Sequence, residues 1–165
     1  MEDALNKQIN EEMFSAYLYL AMSADFEEKG LAGFANWMRV QAQEENDHAM
    51  KIFDFITRRN GIVKLEAIAK PEQSWDSPMA AIEAAYNHEI HITGCINALV
   101  KTARELNDNA TENELQWFVN EQVEEEENAS KIMDKLKTIG ESGHGMLMID
   151  NELSQRAYTP INPVV

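Results

Sequence analysis

The chain has 165 residues, of which 44% are hydrophobic, so it is long enough for one domain with a real core. Its formal net charge of −15 excludes nucleic acid as an expected partner, because the phosphates would repel it; an acidic surface serves solubility or attracts cations. The longest apolar run, residues 16–22, is too short to span a bilayer, and no signal peptide is visible. The single cysteine cannot form an internal disulfide, so the expected location is cytoplasmic.

Helical periodicity dominates the chain, and no stretch shows convincing strand alternation. Gly30 and Gly61 are predicted to end the first two helices, since glycine is common just after a helix. Pro78 suits the first turn of the third helix, and residues 111–114 match a capping box that would open the fourth. The predicted elements are α1 (residues 3–29), α2 (31–60), α3 (76–106), α4 (111–140), a short α5 (146–155) and an extended tail (158–165).

The connections between these helices predict the topology. The α1–α2 and α3–α4 connections are short, which makes each pair antiparallel. Residues 62–75 could reach roughly 45 Å when extended, and a 28-residue helix is about 42 Å long. This segment can therefore run the length of the bundle and place α3 parallel to α2. The predicted fold is all-α: one domain, residues 1–165, in which an antiparallel four-helix bundle (3–140) with one long crossover precedes the short fifth helix.

The middle of the predicted bundle is acidic. Glu45 and His48 lie three residues apart, so both side chains leave α2 on the same side. Positions spaced alternately three and four residues apart define an inward stripe on each helix, apolar at both ends with an acid near its middle. The inward acids are Glu12, Glu45, Glu89 and Glu125, and the predicted α3 stripe reads Ile82, Tyr86, Glu89, Thr93 and Ile96.

Buried carboxylates need an explanation, because an unpaired buried charge costs several kcal/mol. One such acid, or one Glu-x-x-His, is weak evidence, since solvated acids near helix ends are common. Four acids on four helices with no lysine or arginine at their level would be untenable at neutral pH. Two metal ions bridged by the carboxylates remove the difficulty, and oxygen and nitrogen ligands suit iron or manganese.

Other candidate residues are more ambiguous. Glu44 flanks the α2 stripe, and Glu121 and Glu124 lie three residues apart in α4; such acids form either a solvated face or an outer cation site. No partner at ligand spacing is visible for His88, His91 or His144, so these histidines are predicted to be surface or packing residues. Cys95 is predicted to be a small core residue.

Three stretches are highly similar to one known family: EMFSAYLYL in α1, GFANWMRVQAQEENDHAM in α2 and LQWFVNEQVEEEE in α4. Along nearly its whole length the chain resembles the non-haem ferritins of bacteria and archaea, which are helix-bundle proteins. The resemblance implies oxidation of ferrous iron at a two-iron centre and iron storage in a hollow shell of twenty-four identical subunits. Asn46 stands where bacterioferritins carry a haem-binding methionine, so no haem is expected. No Cys-x-x-Cys follows the bundle, which argues against rubrerythrin.

The resemblance also implies roles for single residues. Glu45, His48 and Tyr19 would be catalytic, Tyr19 as the tyrosine beside the centre. Trp117 matches a nearby aromatic residue that could supply electrons. The first iron site is implied at Glu12, Glu45 and His48, with Glu45 bridging; the second at Glu89 and Glu125 beside Gln122; and a third at Glu44, Glu121 and Glu124.

One departure from related two-iron bundles matters. Gln122-x-x-Glu125 stands where bacterioferritin-type bundles carry a second Glu-x-x-His, which leaves one site with fewer strong ligands and favours a centre that passes iron onward. Two alternatives stay open: a di-iron oxygenase or peroxidase-like bundle that retains its metals, and a shell subunit without oxidation chemistry. The outer acids argue against the first, and the inward acids against the second. The oxidant, dioxygen or peroxide, is left open.

Overall fold

A computed structural model describes residues 1–161 as a bundle of α-helices without β-strands, which confirms the predicted fold class. Each helix begins and ends within three residues of its predicted bounds. None of these helices is long and apolar enough to cross a membrane. Residues 158–161 have no regular structure, and residues 162–165 of the predicted tail lie outside the described residues. The helices are α1 (Glu2–Glu28), α2 (Ala32–Arg58), α3 (Pro78–Glu105), α4 (Asn109–Ile139) and α5 (Gly143–Leu153).

Two helix ends differ from the sequence-based expectation. The predicted capping box at Thr111 was wrong, because Asp108 caps α4 and its carboxylate accepts from the Thr111 backbone N–H at 3.2 Å. Arg59 holds the Asp108 carboxylate from the end of α2 at 2.6 Å. After α2, Asn60 and not Gly61 adopts the left-handed conformation, with φ of 58°. In both cases an asparagine or aspartate provides the local hydrogen bonding or backbone freedom that the turn needs.

The start of α2 is capped by a distant part of the chain. The Asp150 carboxylate of α5 accepts from the backbone N–H groups of Gly33 and Phe34 at 2.8 and 3.0 Å. Glycine is required for this approach, since a Cβ at position 33 would lie 1.7 Å from the Asp150 carbonyl oxygen. A negative charge at a helix N-terminus is favourable, so this contact fixes α5 against the first turn of α2.

The crossover between α2 and α3 follows α1 from one end to the other. Near the start of α1, Asn6 donates to the Ile62 carbonyl at 2.9 Å and accepts from the Lys64 backbone N–H at 2.7 Å. Near its end, the Lys29 ammonium donates to the Trp75 carbonyl. The crossover therefore spans the bundle and places α3 parallel to α2, as predicted.

The apolar core is divided into two clusters. One, around Phe26, Phe34 and Met38, fills the end of the bundle near α5. The other, around Ile52 and Phe118, fills the opposite end. The inward acids lie between the clusters. The predicted α3 stripe was partly wrong: Tyr86 and Thr93 are only half-buried, and the buried positions are Ile82, Ala85, Glu89, Ile92 and Ile96.

The crossover contacts predict a stability difference between two asparagines of α1. Asn6→Ala should lower the free energy of unfolding by about 1–3 kcal/mol, because it removes two partly buried hydrogen bonds to the crossover. Asn10→Ala should change it by less than about 0.5 kcal/mol, because Asn10 makes only long, exposed contacts to the crossover, at 3.3 and 3.4 Å. Urea unfolding followed by helical circular dichroism measures both; equal effects would show that Asn6 does not anchor the crossover.

Candidate metal centre

Each of the four long helices contributes one buried carboxylate to the middle of the bundle. Glu12, Glu45, Glu89 and Glu125 are at most 3% exposed, and His48 of α2 is 1% exposed. Within residues 1–161, none of the four acids forms an ion pair with lysine or arginine. The four acids are therefore buried, as the inward stripes predicted, and among the described residues no lysine or arginine pairs with them.

The structure brings these side chains into two overlapping groups. One ligand atom each from Glu12, Glu45 and His48 lies within 4.8 Å of the others, and the His48 Nδ1–Glu45 Oε2 distance is 3.3 Å. A second group joins His48 to Glu121 and Glu125 under the same limit. Carboxylate and imidazole atoms at these separations can hold a cation of the iron class.

Three ligand atoms in the first group lack hydrogen-bond partners. Glu12 Oε2, Glu45 Oε1 and His48 Nε2 are buried and unpaired within the described part of the chain. Most buried polar atoms in proteins are hydrogen-bonded, so three unpaired atoms in one cluster indicate a further partner. A metal ion could fill that role, because carboxylate oxygens and imidazole nitrogen are usual ligands of iron-class cations.

Neutral amides and a phenol organise the other carboxylate oxygens. Gln8 donates to Glu12 at 2.9 Å, and Gln122 donates to Glu89 at 3.1 Å. Tyr19 donates to Glu89. In the same way Gln41 donates to Glu125. These donors fix the acids in position without supplying positive charge, so the centre keeps its affinity for a cation.

Burial raises the pKa of all four acids above the ordinary glutamate range. The largest rises are those of Glu45 and Glu125, where the neighbouring Glu89 carboxylate adds to the effect of burial. The pKa of Glu12 and of Glu89 is raised chiefly by burial. Burial and the Glu89 carboxylate likewise raise the pKa of Tyr19 well above its usual value, so the phenol remains a donor. These shifts favour the protonated form of each carboxyl group, and a bound cation would oppose them.

The three outer acids lie in different surroundings. Glu121 is half-buried, with its Oε1 3.9 Å from His48 Nε2, whereas Glu124 is exposed. Glu44 accepts from the Arg156 guanidinium at 2.5 Å. Burial raises the pKa of Glu44 and of Glu121, and the charge of Glu124 raises both further. Among the described residues the structure does not bring Glu44, Glu121 and Glu124 together within 4.8 Å as one group of ligand atoms, and the Arg156 guanidinium holds Glu44.

Sequence analysis missed three residues around the centre. Gln8 lies one turn before Glu12, a spacing that could have revealed it. Gln41 likewise lies one turn before Glu45 on α2. No sequence pattern indicated Arg156, which lies beyond the end of α5. Its guanidinium donates to Gln41 and Glu44 and stacks 4.6 Å from the Trp37 ring centroid.

The aromatic residues lie beside the centre. Trp117 packs edge-on against His48, with ring centroids 5.4 Å apart, and the Lys51 ammonium lies 4.9 Å from the centroid of the Trp117 ring. Tyr19 is 1% exposed and contacts the centre through Glu89. Both residues therefore contact a candidate ligand directly: Trp117 contacts His48, and Tyr19 contacts Glu89.

The predictions for the α3 histidines and for Cys95 need correction. His88 is a packing residue, as predicted: it shares a 2.7 Å hydrogen bond with Ser15, and burial, helped by His91, lowers its pKa to about 4. His91, however, does have partners, because its Nε2 lies 3.0 Å from a Glu11 oxygen and 3.6 Å from the Cys95 sulfur. Cys95 is half-buried on this face and is not part of the core. The prediction missed the His91–Cys95 pair although its four-residue spacing was visible.

Comparisons with known proteins agree with this geometry. The family model described as "Ferritin-like domain" matches residues 2–139. A bacterial non-heme ferritin of Bacteroides fragilis is 43% identical over 156 residues, which cover 94% of this chain and 97% of the relative. One from Campylobacter jejuni is 40% identical over 155 residues, 94% and 93% of the two chains.

Solved structures extend the similarity to the backbone. An engineered closed form of the Archaeoglobus fulgidus ferritin superposes with a TM-score of 0.96 at 54% identity, over 96% of this chain and 97% of the other. An open pore ferritin from the same archaeon gives a TM-score of 0.95 at 54% identity, over 95% and 97%.

The raised pKa of Glu45 predicts how the metal-free protein responds to pH. Above about pH 4.3 the unfolded chain ionises this residue while the folded chain keeps its proton, so stability is lost as pH rises toward the folded pKa. Glu45→Gln should therefore raise the free energy of unfolding at pH 7 and flatten its pH dependence. Urea unfolding in chelator at pH 5 and pH 8 tests this, with the exposed Glu127→Gln as control. A less stable Glu45→Gln protein with unchanged pH dependence would contradict it.

The Arg156–Glu44 pair predicts competition with a cation at the outer acids. Arg156→Met should tighten terbium binding there about fivefold, equivalent to about 1 kcal/mol for one partly exposed ion pair. Terbium is a hard cation whose luminescence tryptophan can sensitise, and Trp37 lies against Arg156. Arg39→Met, which removes an exposed pair with Glu27, is the matched control. Unchanged or weaker terbium affinity in Arg156→Met would show that the guanidinium does not compete.

Proposed function

The chain belongs to the ferritin family, and from that premise we propose that it oxidises ferrous iron at the buried centre and stores the ferric product in a hollow shell of identical subunits. The observation that carries the proposal is the cluster of orphaned atoms Glu12 Oε2, Glu45 Oε1 and His48 Nε2. A packing or solvation role for these residues explains neither their burial nor their lack of partners. Binding of the iron substrate explains both.

The two substrate ions take different ligand sets in this proposal. Glu12, Glu45 and His48 bind the first ferrous ion, and Glu45 bridges to the second. Glu89 and Glu125 bind the second ion. Gln122 lies beside it and holds the Glu89 carboxylate by a hydrogen bond. Because an amide and an acid replace a second Glu-x-x-His, the second ion has fewer strong ligands, which favours release of the oxidised product.

The chemistry balances with two irons per turnover. Each ferrous ion gives up one electron, and dioxygen takes up both with two protons to become hydrogen peroxide. The protein contributes negative charge, which stabilises the ferric product more than the ferrous substrate, and fixed ligand geometry. Carboxyl groups whose pKa is raised in the empty centre release protons when iron binds, next to the place where the reaction consumes them.

Residues around the centre assist without binding the first two ions. Tyr19 orients the Glu89 carboxylate by its hydrogen bond and lies close enough to exchange an electron or proton with the centre. Trp117, packed against His48, is the second candidate electron donor. Glu44, Glu121 and Glu124 form the proposed third iron site.

The proposal also includes the assembly of identical subunits into a shell. Leu147 and Met148 on α5 are 66% and 63% exposed in the isolated chain. Apolar side chains with that exposure favour burial against neighbouring subunits. By family likeness the assembly has twenty-four subunits, α5 lines its fourfold axes, and it functions in the cytoplasm.

The decisive experiment adds ferrous iron anaerobically to the metal-free protein and then admits air. The parent should oxidise iron rapidly and retain it in a large particle, whereas a Glu45→Ala, His48→Ala variant should be slower by about tenfold or more. Absorbance follows the oxidation, and sedimentation reports particle size and iron content. An Asp54→Ala, His144→Ala variant, which removes an exposed acid and an exposed histidine, is the control.

Two outcomes would redirect the proposal. If parent and variant oxidise iron equally slowly, the buried acids are not a redox centre and a storage shell without oxidation chemistry remains. If the parent binds two irons per chain, oxidises them once and keeps them, the centre is a resident cofactor of the oxygenase or peroxidase type.

A further inference from the structure

A second group of metal-binding side chains lies outside the buried centre, on the exposed face shared by α1 and α3. His91 and Cys95 are four residues apart on α3, and Glu11 reaches them from α1. One ligand atom from each lies within 4.8 Å of the others. This group shares no residue with the buried centre, and the proposed iron chemistry does not use it.

The separations match those of a small tetrahedral site. With zinc bonds of about 2.3 Å to sulfur and about 2.0–2.1 Å to nitrogen or oxygen, tetrahedral angles place sulfur and nitrogen about 3.6 Å apart, and nitrogen and oxygen about 3.3 Å apart. The Cys95 Sγ–His91 Nε2 distance is 3.6 Å, and the His91 Nε2–Glu11 Oε2 distance is 3.0 Å. The sulfur–nitrogen distance already matches, and the nitrogen–oxygen distance needs to lengthen by a few tenths of an ångström; the Glu11 oxygen and the Cys95 sulfur lie within 4.8 Å of each other.

We propose that Glu11, His91 and Cys95 bind a divalent cation of the zinc class, with water in the fourth position. The ligand chemistry sets the class: thiolate and imidazole favour zinc over ferrous iron, while the buried centre offers only oxygen and nitrogen. The site is open to solvent, since the His91 side chain is 55% exposed. It is therefore loaded from outside the bundle, independently of the iron centre.

Occupancy of this site would connect two helices that also build the iron centre. Glu11 precedes Glu12 on α1, and His91 lies two residues beyond Glu89 on α3. A cation held by both helices would cross-link them beside two proposed iron ligands. The proposal does not depend on the iron chemistry, and the experiment below reads the zinc-class site alone.

Cobalt(II) is the probe, because it substitutes for zinc and a thiolate ligand gives it an intense near-ultraviolet charge-transfer absorption. Cys95 is the only cysteine in the sequence, so the band can arise at no other residue. The parent should develop the band with one equivalent of cobalt per chain, and zinc should abolish it by displacement. Cobalt bound at the buried centre has no sulfur ligand and contributes nothing to the band.

Variants distinguish a three-ligand cation site from cobalt binding by the Cys95 thiol alone. Cys95→Ser should lose the band completely, and His91→Ala and Glu11→Gln should each weaken cobalt binding about tenfold or more. His144→Ala and the Glu45→Ala, His48→Ala double variant should keep it, with circular dichroism confirming that each variant folds. The proposal is overturned if the parent shows no band, or if His91→Ala and Glu11→Gln bind cobalt as the parent does.

Discussion

The structure depends on one unfavourable feature, a layer of carboxyl groups buried without cationic partners. Glu12, Glu45, Glu89 and Glu125 come from four different helices, so the layer crosses the whole bundle. The two apolar clusters on either side hold the helices together, and the layer itself destabilises the metal-free chain. In the proposed function, a bound cation would turn this unfavourable layer into a binding site.

The residues around the layer preserve this property. Gln8, Gln41, Gln122 and Tyr19 each donate a hydrogen bond to one of the acids, and all of them are neutral. A lysine or arginine at any of these positions would stabilise the empty bundle and compete with the metal. The metal-free protein is therefore less stable than it would be with cationic partners, but the carboxylates keep their negative charge for an ion. The uncharged donors hold the carboxylates in position.

Sequence reasoning was successful where the signal is local or periodic. Helix periodicity predicted the four long helices and the burial of one acid on each, and the length of the crossover predicted the parallel placement of α3. It failed where contacts are distant in sequence: Asp150 caps α2 from α5, and Arg156 reaches Glu44 from beyond the last helix. Tyr86 and Thr93 were placed on the stripe of α3 although they are only half-buried. The prediction took four-residue steps after Ile82 and Glu89, where the buried face takes three-residue steps to Ala85 and Ile92.

The position of Arg156 ties the end of the chain to the chemistry in its middle. Its guanidinium bonds Glu44 directly and, through Gln41, connects to Glu125. It lies three residues after the end of α5, whose exposed apolar residues the proposed shell would place against a neighbouring subunit. In that shell, contacts that fix α5 would also fix the guanidinium and so couple subunit association to cation affinity. Such coupling is reciprocal, so a cation that displaced Arg156 from Glu44 would alter the strength of association by the same factor.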